Sequence, residues 1–157
     1  MSAAKSFVAL VFLVSSASAD DLPKNLTLQC SGNSKSMEFF PIRDKVPRWS
    51  DGVFSITVQL KDRVMTDLTN DTVLGRDCFL EKGEIGCSVT ETTYNEKWNA
   101  TTKAEGIVLI KRDTGSARWV HSRFGFIGKT ATGKPGTTER LERTGICRVI
   151  PTPRPLF

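Results

Sequence analysis

The sequence predicts an all-β protein, a small antiparallel barrel or sandwich of about eight strands stapled by two disulfides. Three observations lead to this prediction. Apolar and polar residues alternate with a period of two in residues 26–30 and 54–60, as in strands with one wet face. Turn residues separate such stretches at short intervals, without a helical period after residue 19. The chain also carries four cysteines, Cys30, Cys78, Cys87 and Cys147, enough for two disulfides.

The remaining elements follow in chain order. Further strands are expected at residues 36–42, 64–68, 72–81, 84–90, 106–112, 117–127 and 137–150. Clusters of Gly, Pro, Asn, Asp and Ser predict turns at residues 31–33, 50–52, 82–83, 113–115 and 133–136. Residues 42–51 and 92–102 are expected to be loops. This order favours an antiparallel meander that closes on itself.

Local geometry selects the disulfide pairing. A two-residue turn at residues 82–83 sets Cys78 opposite Cys87 in a non-hydrogen-bonded pair, where the side chains come closest and a cross-strand bridge fits. Cys30 is then left to pair with Cys147. That second bridge would tie the first strand of the domain to the last and favours closure of the sheet.

The sequence predicts no cofactor, no metal and no enzymatic centre. The cysteine spacings lack the paired Cys-x-x-Cys unit of a zinc site, and the single histidine, His121, has no evident partner for general base chemistry. Residues 113–115 read Asp-Thr-Gly, like the catalytic tripeptide of aspartic proteases, but the preceding Lys-Arg pair favours a hairpin loop. A small hydrolase using Glu81 and Glu84, which face each other in the predicted hairpin, is an alternative.

The first nineteen residues have the order of a secretory signal peptide, with a basic residue, an eight-residue apolar core and an Ala-Ser-Ala ending. We therefore predict a signal peptide at residues 1–19, a single β domain at residues 20–150, and a disordered Pro-rich tail at residues 151–157. Two disulfides and a cleaved signal indicate a periplasmic or secreted protein without a transmembrane segment. Three sequons, at Asn25, Asn70 and Asn99, match the glycosylation acceptor pattern of eukaryotic hosts.

Positive charge is concentrated in the second half of the chain. Residues 20–102 carry 10 basic and 13 acidic residues, whereas residues 103–157 carry 11 basic and 4 acidic ones. This asymmetry favours an anionic partner, such as an envelope polymer, membrane head groups or an acidic protein face, rather than nucleic acid. Alternatively, it is only a solvated strand face. The densest basic and aromatic cluster, and the candidate ligand-binding face, comprises Lys111, Arg112, Arg118, Trp119 and Arg123.

Three stretches carry a resemblance to known proteins. Residues 28–32 (Leu-Gln-Cys-Ser-Gly), 109–115 (Leu-Ile-Lys-Arg-Asp-Thr-Gly) and 144–148 (Thr-Gly-Ile-Cys-Arg) together resemble small exported bacterial β proteins of unknown function. The early and late cysteines around an antiparallel barrel are also similar in layout to the periplasmic lysozyme inhibitors. That family's Ser-Gly stretch ending in Tyr has no counterpart after Ser31-Gly32, so no inhibitory residue is carried over.

These observations lead to one functional hypothesis and two alternatives. The first is an exported, non-enzymatic binding or envelope-associated module with a basic face, because a stapled barrel without a catalytic constellation is suited to binding. The second is an inhibitor of a secreted or host hydrolase such as lysozyme. The third is the small hydrolase described above.

Overall fold

Eight antiparallel strands close into a barrel in which each strand pairs with its sequence neighbours and the last pairs with the first. The computed structural model describes residues 21–151. The strands are β1 (Asn25–Phe39), β2 (Arg48–Lys61), β3 (Val64–Asp67), β4 (Thr72–Glu81), β5 (Glu84–Asn95), β6 (Ala100–Lys111), β7 (Ser116–Ile127) and β8 (Thr137–Val149). A single 3-10 turn, Glu96–Trp98, joins β5 to β6. The predicted fold class is confirmed.

Both predicted disulfides are present. Cys30 and Cys147 are directly opposite each other on β1 and β8, with their Cα atoms 4.0 Å apart. Cys78 and Cys87 join β4 to β5 across the hairpin that turns at residues 82–83. One detail differs, because an extra residue at Asp77, which has a φ of 50°, bulges β4 and shifts the register next to the bridge.

The strands are longer than the sequence predicts. Residues 31–33 and 50–52, expected to be turns, lie within β1 and β2 instead. Gly32 pairs with Phe54 on one side and with Gly145 on the other, so hydrogen bonding from two neighbouring strands overrides the local turn signal. The loops expected at residues 42–51 and 92–102 are likewise shorter, with only residues 40–47 and 96–99 outside the strands.

The two ends of the barrel differ. Because the strands run alternately up and down, the loops at residues 40–47, 96–99 and 128–136 lie at one end, here called the open end. The turn at residues 68–71 points the same way but lies only halfway along the barrel, beside Thr57 of β2. The turns at residues 62–63, 82–83 and 112–115 lie at the other end, the closed end. β3 and β4 pair only with those halves of β2 and β5 that are nearest the closed end. The other six strands therefore continue past them as a curved wall.

The hydrophobic core fills the closed half of the barrel. Its most deeply buried large residues include Leu60, Met65, Ile85, Val58 and Val108, and both disulfides pack among them. Small residues leave room for an aromatic side chain. Gly32, Gly145 and Ala117 are opposite one another on neighbouring strands, at the same level of the barrel as Phe54. Barrels of this size are filled in this way by alternating small and large side chains.

The signal peptide predicted at residues 1–19 and almost all of the tail predicted at residues 151–157 lie outside the described residues. Between residues 21 and 151, the structure has no helix with the length and apolar character needed to cross a membrane. The two disulfides are compatible with an extracellular protein, since paired thiols persist in oxidising surroundings.

Candidate functional site

The interior of the open half is polar, unlike the core below it. Side chains directly opposite each other in an antiparallel ladder point to the same side of the sheet, so interior positions can be followed around the wall from the Cys30–Cys147 pair. We call a set of directly opposite interior residues a rung. The second rung above that pair, toward the open end, contains Trp119, Arg143 and Ser34. The third contains His121, Leu141 and Ser36. The next rung is charged and holds Arg123, Glu139, Glu38 and Arg48.

Trp119 and Arg143 of the second rung, and His121 and Leu141 of the third, border a cavity of about 350 Å³, here called the mouth cavity. Its apolar lining includes Val73, Leu74, Val108, Trp119 and Leu141, and its polar lining includes Asp67, Asn70, His121 and Arg143. The turn between β3 and β4 covers one side of it. A second depression of about 340 Å³ shares His121 and Leu141 with it and reaches the charged rung. Together they have the size of a site for a small ligand.

Two hydrogen-bond donors at the mouth cavity have no partner. Within residues 21–151, the buried side-chain polar atoms without a hydrogen bond are Trp119 Nε1 and Arg143 Nε. Both residues line the mouth cavity. A buried donor left unsatisfied costs about 1–3 kcal/mol, and most buried polar groups in folded proteins are paired. Their coincidence in one cavity therefore marks a place where a ligand acceptor would be stabilised.

Phe54 contacts both Trp119 and Arg143. The Phe54 and Trp119 rings meet edge to face, with centroids 5.4 Å apart. The Arg143 guanidinium carbon lies 5.2 Å from the centre of the Phe54 ring, close enough for a cation–π contact. Among the ion pairs within residues 21–151, none involves Arg143. An aromatic face, rather than a carboxylate, thus holds this cation at the cavity.

Asp67 is the one buried carboxylate at the mouth cavity, and its oxygens are occupied. The side chain is 2% exposed. Oδ1 accepts from the backbone N–H groups of Thr69 (2.8 Å) and Asn70 (3.3 Å), and Oδ2 accepts from Asn70 Nδ2 at 2.8 Å. Asp67 therefore fixes the β3–β4 turn over the cavity. The side chain of Asn70, the asparagine of one of the three sequons, is therefore part of this hydrogen-bond network.

His121 lies on the wall between the mouth cavity and the charged rung. Burial lowers the pKa of His121 below its ordinary value, and Arg123 lowers it further, while Glu139 and Glu91 act in the opposite direction. Its ring lies against Gly106, where an added Cβ would come within 3.1 Å of both His121 and Val89. His121 is therefore neutral at neutral pH and becomes a second cation at the cavity only in acid.

This lowered pKa predicts a pH dependence of stability. The unfolded chain protonates His121 near its ordinary pKa of 6.5, whereas the folded chain resists protonation. The stabilisation is present above that pH and is lost as the pH falls through the lower, folded-state pKa. We expect the wild-type Tm to fall further than that of His121→Gln between about pH 7.5 and about pH 5. Calorimetry of both chains checks this, and parallel Tm curves would contradict it.

The five residues predicted to bind a ligand are divided among four places. Trp119 is a core residue at the mouth cavity, 4% exposed, whereas Arg118 beside it is exposed on the outer surface. Arg123 lies on the charged rung, with a guanidinium nitrogen 3.9 Å from Glu139. Lys111 and Arg112 line a groove of about 950 Å³ at the closed end, where, counting Lys82, three basic residues are balanced by three acidic ones, Glu81, Glu84 and Asp113.

Sequence reasoning overlooked Arg143, Leu141 and Asp67. The signal for Arg143 and Leu141 was available, because both have the same parity on β8 as Cys147. Once Cys147 is assigned to the interior, counting back by twos places Gly145, Arg143 and Leu141 on the interior side. Asp67 had no comparable signal, since its burial depends on where the short β3 ends.

The fold and the mouth cavity define a class of protein: a small, disulfide-stapled antiparallel barrel with a ligand-sized cavity at one end. Comparison of the chain with protein-family models, with curated proteins and with solved structures found no match.

Proposed function

We propose that the protein is an exported, non-enzymatic binding module that holds a small ligand in the mouth cavity, one with an anionic group and an apolar part. The observation that carries this proposal is the pair of unpartnered buried donors, Trp119 Nε1 and Arg143 Nε, on residues that line one cavity. A ligand oxygen that accepts from either donor would remove the cost of leaving it unpaired.

The residues around those donors indicate the chemistry of the ligand. Arg143 is permanently charged, and its fork of N–H groups matches a carboxylate or phosphate. The rest of the lining is largely apolar, with Val108, Leu74 and Leu141 among the residues that would surround an alkyl or ring portion. Both carboxylate oxygens of Asp67 already accept hydrogen bonds from the β3–β4 turn, so neither is left free to face a ligand anion.

The residues of the hydrolase alternative lie elsewhere. Glu81 and Glu84 pair across the turn of the β4–β5 hairpin, as predicted, but at the closed end. Glu81 is exposed there and lies 3.7 Å from Lys82 Nζ. A periplasmic or secreted location is proposed on the two disulfides together with the signal-like first nineteen residues.

The proposal predicts how Arg143→Gln changes binding. With decanoate as the probe, we expect this variant to bind at least about 10-fold more weakly than wild type, because a hydrogen bond to a charged group contributes about 1.5–3 kcal/mol. Titration calorimetry measures the affinity. Arg118→Gln is the matched control, since it removes the same charge from the outer face of β7 next to Trp119 and should bind like wild type.

Two further probes separate the parts of the ligand. Decanol keeps the apolar part without the charge, and inorganic phosphate keeps a charge without the apolar part, so each should bind more weakly than decanoate. Equal affinity for decanoate in the Arg143→Gln and Arg118→Gln variants would show that the mouth cavity is not the site.

A further inference from the structure

We propose that the open end of the barrel docks on an anionic lipid surface, with the apolar tips of its loops among the head groups and its basic side chains against their phosphates. This extends the proposed function to a partner. It rests on the exposed side chains around the open end and does not depend on what the mouth cavity holds.

Five exposed apolar side chains lie around the open end of the barrel. We call residues 40–49, 96–99 and 127–136 the open-end rim. Its exposed apolar side chains are Ile42 (91% exposed), Val46 (68%), Trp49 (51%), Trp98 (71%) and Ile127 (82%). Two of the three segments are tied together, since Gly128 N donates to Asn99 O at 2.7 Å. Apolar tips gathered at one end mark an interaction surface.

The same rim is strongly basic. Its exposed basic residues are Arg43, Lys45, Arg48, Lys97, Lys129 and Lys134, against two acidic residues, Asp44 and Glu96. Asp44 is already paired, with nitrogens of Arg43 and Arg48 at 3.1 and 3.2 Å. At the closed end, residues 62–63, 81–84 and 111–115 hold four basic and four acidic residues. The rim therefore has a net positive charge that the opposite turns lack.

Each exposed tryptophan of the rim carries a cation beside its ring. Lys35 Nζ lies 4.8 Å from the centre of the Trp49 ring, and Lys97 Nζ lies 5.3 Å from that of Trp98. A ring and an ammonium group presented side by side match the boundary of a phospholipid layer, where tryptophan rings concentrate and lysines contact phosphates. Apolar burial and attraction to anionic lipids act together in such binding.

Vesicle co-sedimentation of the full chain tests this inference. We expect binding to vesicles of phosphatidylcholine mixed with phosphatidylglycerol, and much less to phosphatidylcholine alone. Neutralising Lys129 and Lys134 together to Gln should weaken the partition by about 25-fold, at about fivefold for each basic residue. The matched control is Lys82→Gln with Lys111→Gln, which removes the same charge from the closed end and should leave binding unchanged.

Tryptophan fluorescence gives a second readout. Trp119 is already buried, so a blue shift on adding anionic vesicles reports Trp49 and Trp98, and Trp98→Ser should reduce it. The inference is overturned if anionic vesicles do not bind the chain, if the rim and closed-end variants bind them equally, or if only an acidic protein is bound. Arg143→Gln should bind vesicles normally. If the wild type and Arg143→Gln bound decanoate equally while vesicle binding was retained, the cavity ligand would be contradicted and docking would not.

Discussion

Removing the Cys30–Cys147 disulfide by Cys30→Ala with Cys147→Ala is expected to lower the free energy of unfolding by about 5 kcal/mol. The bridge spans 117 residues and ties β1 to β8, the two strands whose pairing closes the barrel. Cutting it restores the conformational freedom of nearly the whole domain to the unfolded chain. Guanidinium denaturation of the oxidised wild type and of the double variant measures the difference.

The other bridge supplies the control. Cys78 and Cys87 are 9 residues apart, so Cys78→Ala with Cys87→Ala should cost only about 3 kcal/mol in the same model of chain entropy. Both bridges are buried, so the loss of packing is similar in the two double variants. An equal or larger loss on removing the short bridge would show that loop length does not decide their contributions.

Gly145→Ala is expected to destabilise the protein by about 2–3 kcal/mol. Gly145 and Gly32 pair across the β1–β8 seam next to the disulfide. A Cβ at Gly145 would overlap the carbonyl oxygen of Ser31 and lie 2.8 Å from its carbonyl carbon, so the backbone of the neighbouring strand would have to move. Thermal and chemical denaturation of the variant give the magnitude.

Gly52→Ala provides the comparison for Gly145→Ala. The added Cβ would lie 3.0 Å from the Ser34 hydroxyl oxygen, the end of a side chain that can rotate away. We expect a change of about 0.5 kcal/mol or less, as for most exposed substitutions. A similar loss at both glycines would mean that the β1–β8 seam can relax to accept a side chain.

The proposed cavity ligand and the proposed lipid surface lie at the same end of the barrel. The mouth cavity adjoins the depression that reaches the charged rung, and the rim lies at that end. A module docked in this orientation would face the lipid layer with its cavity. The two proposals nevertheless depend on different side chains, Arg143 for one and the rim lysines for the other, so separate variants test them.

The prediction of the disulfides worked because it used short-range geometry. The turn at residues 82–83 and the parity of its flanking residues determine which positions are opposite, and the remaining pair follows by elimination. The turns predicted at residues 31–33 and 50–52 were wrong for the opposite reason. Their Gly, Asn, Asp and Ser residues have turn propensity, but pairing within the closed sheet overrides it.

The candidate site was less accessible from the sequence. The cluster from Lys111 to Arg123 is contiguous along one hairpin, but a strand sends successive side chains to opposite faces, so Arg118 and Trp119 separate. Because the hairpin is long, Lys111 lies toward the closed end of the barrel and Arg123 toward the open end. Closeness in sequence is therefore a poor guide to a shared surface in a barrel with long strands.

The sequence by itself determined the all-β class, the barrel or sandwich architecture, both disulfides and the hairpin turn between β4 and β5, because period-two alternation, turn chemistry and cysteine register are local properties of the chain. Only the tertiary structure decided the closure into a barrel, the mouth cavity and the rim. Arg143, Trp119 and Asp67 come from three strands, and their meeting depends on the four-residue β3, which turns into β4 halfway along the barrel. No local pattern encodes the shortness of β3, since it arises from how all eight strands pair around the barrel.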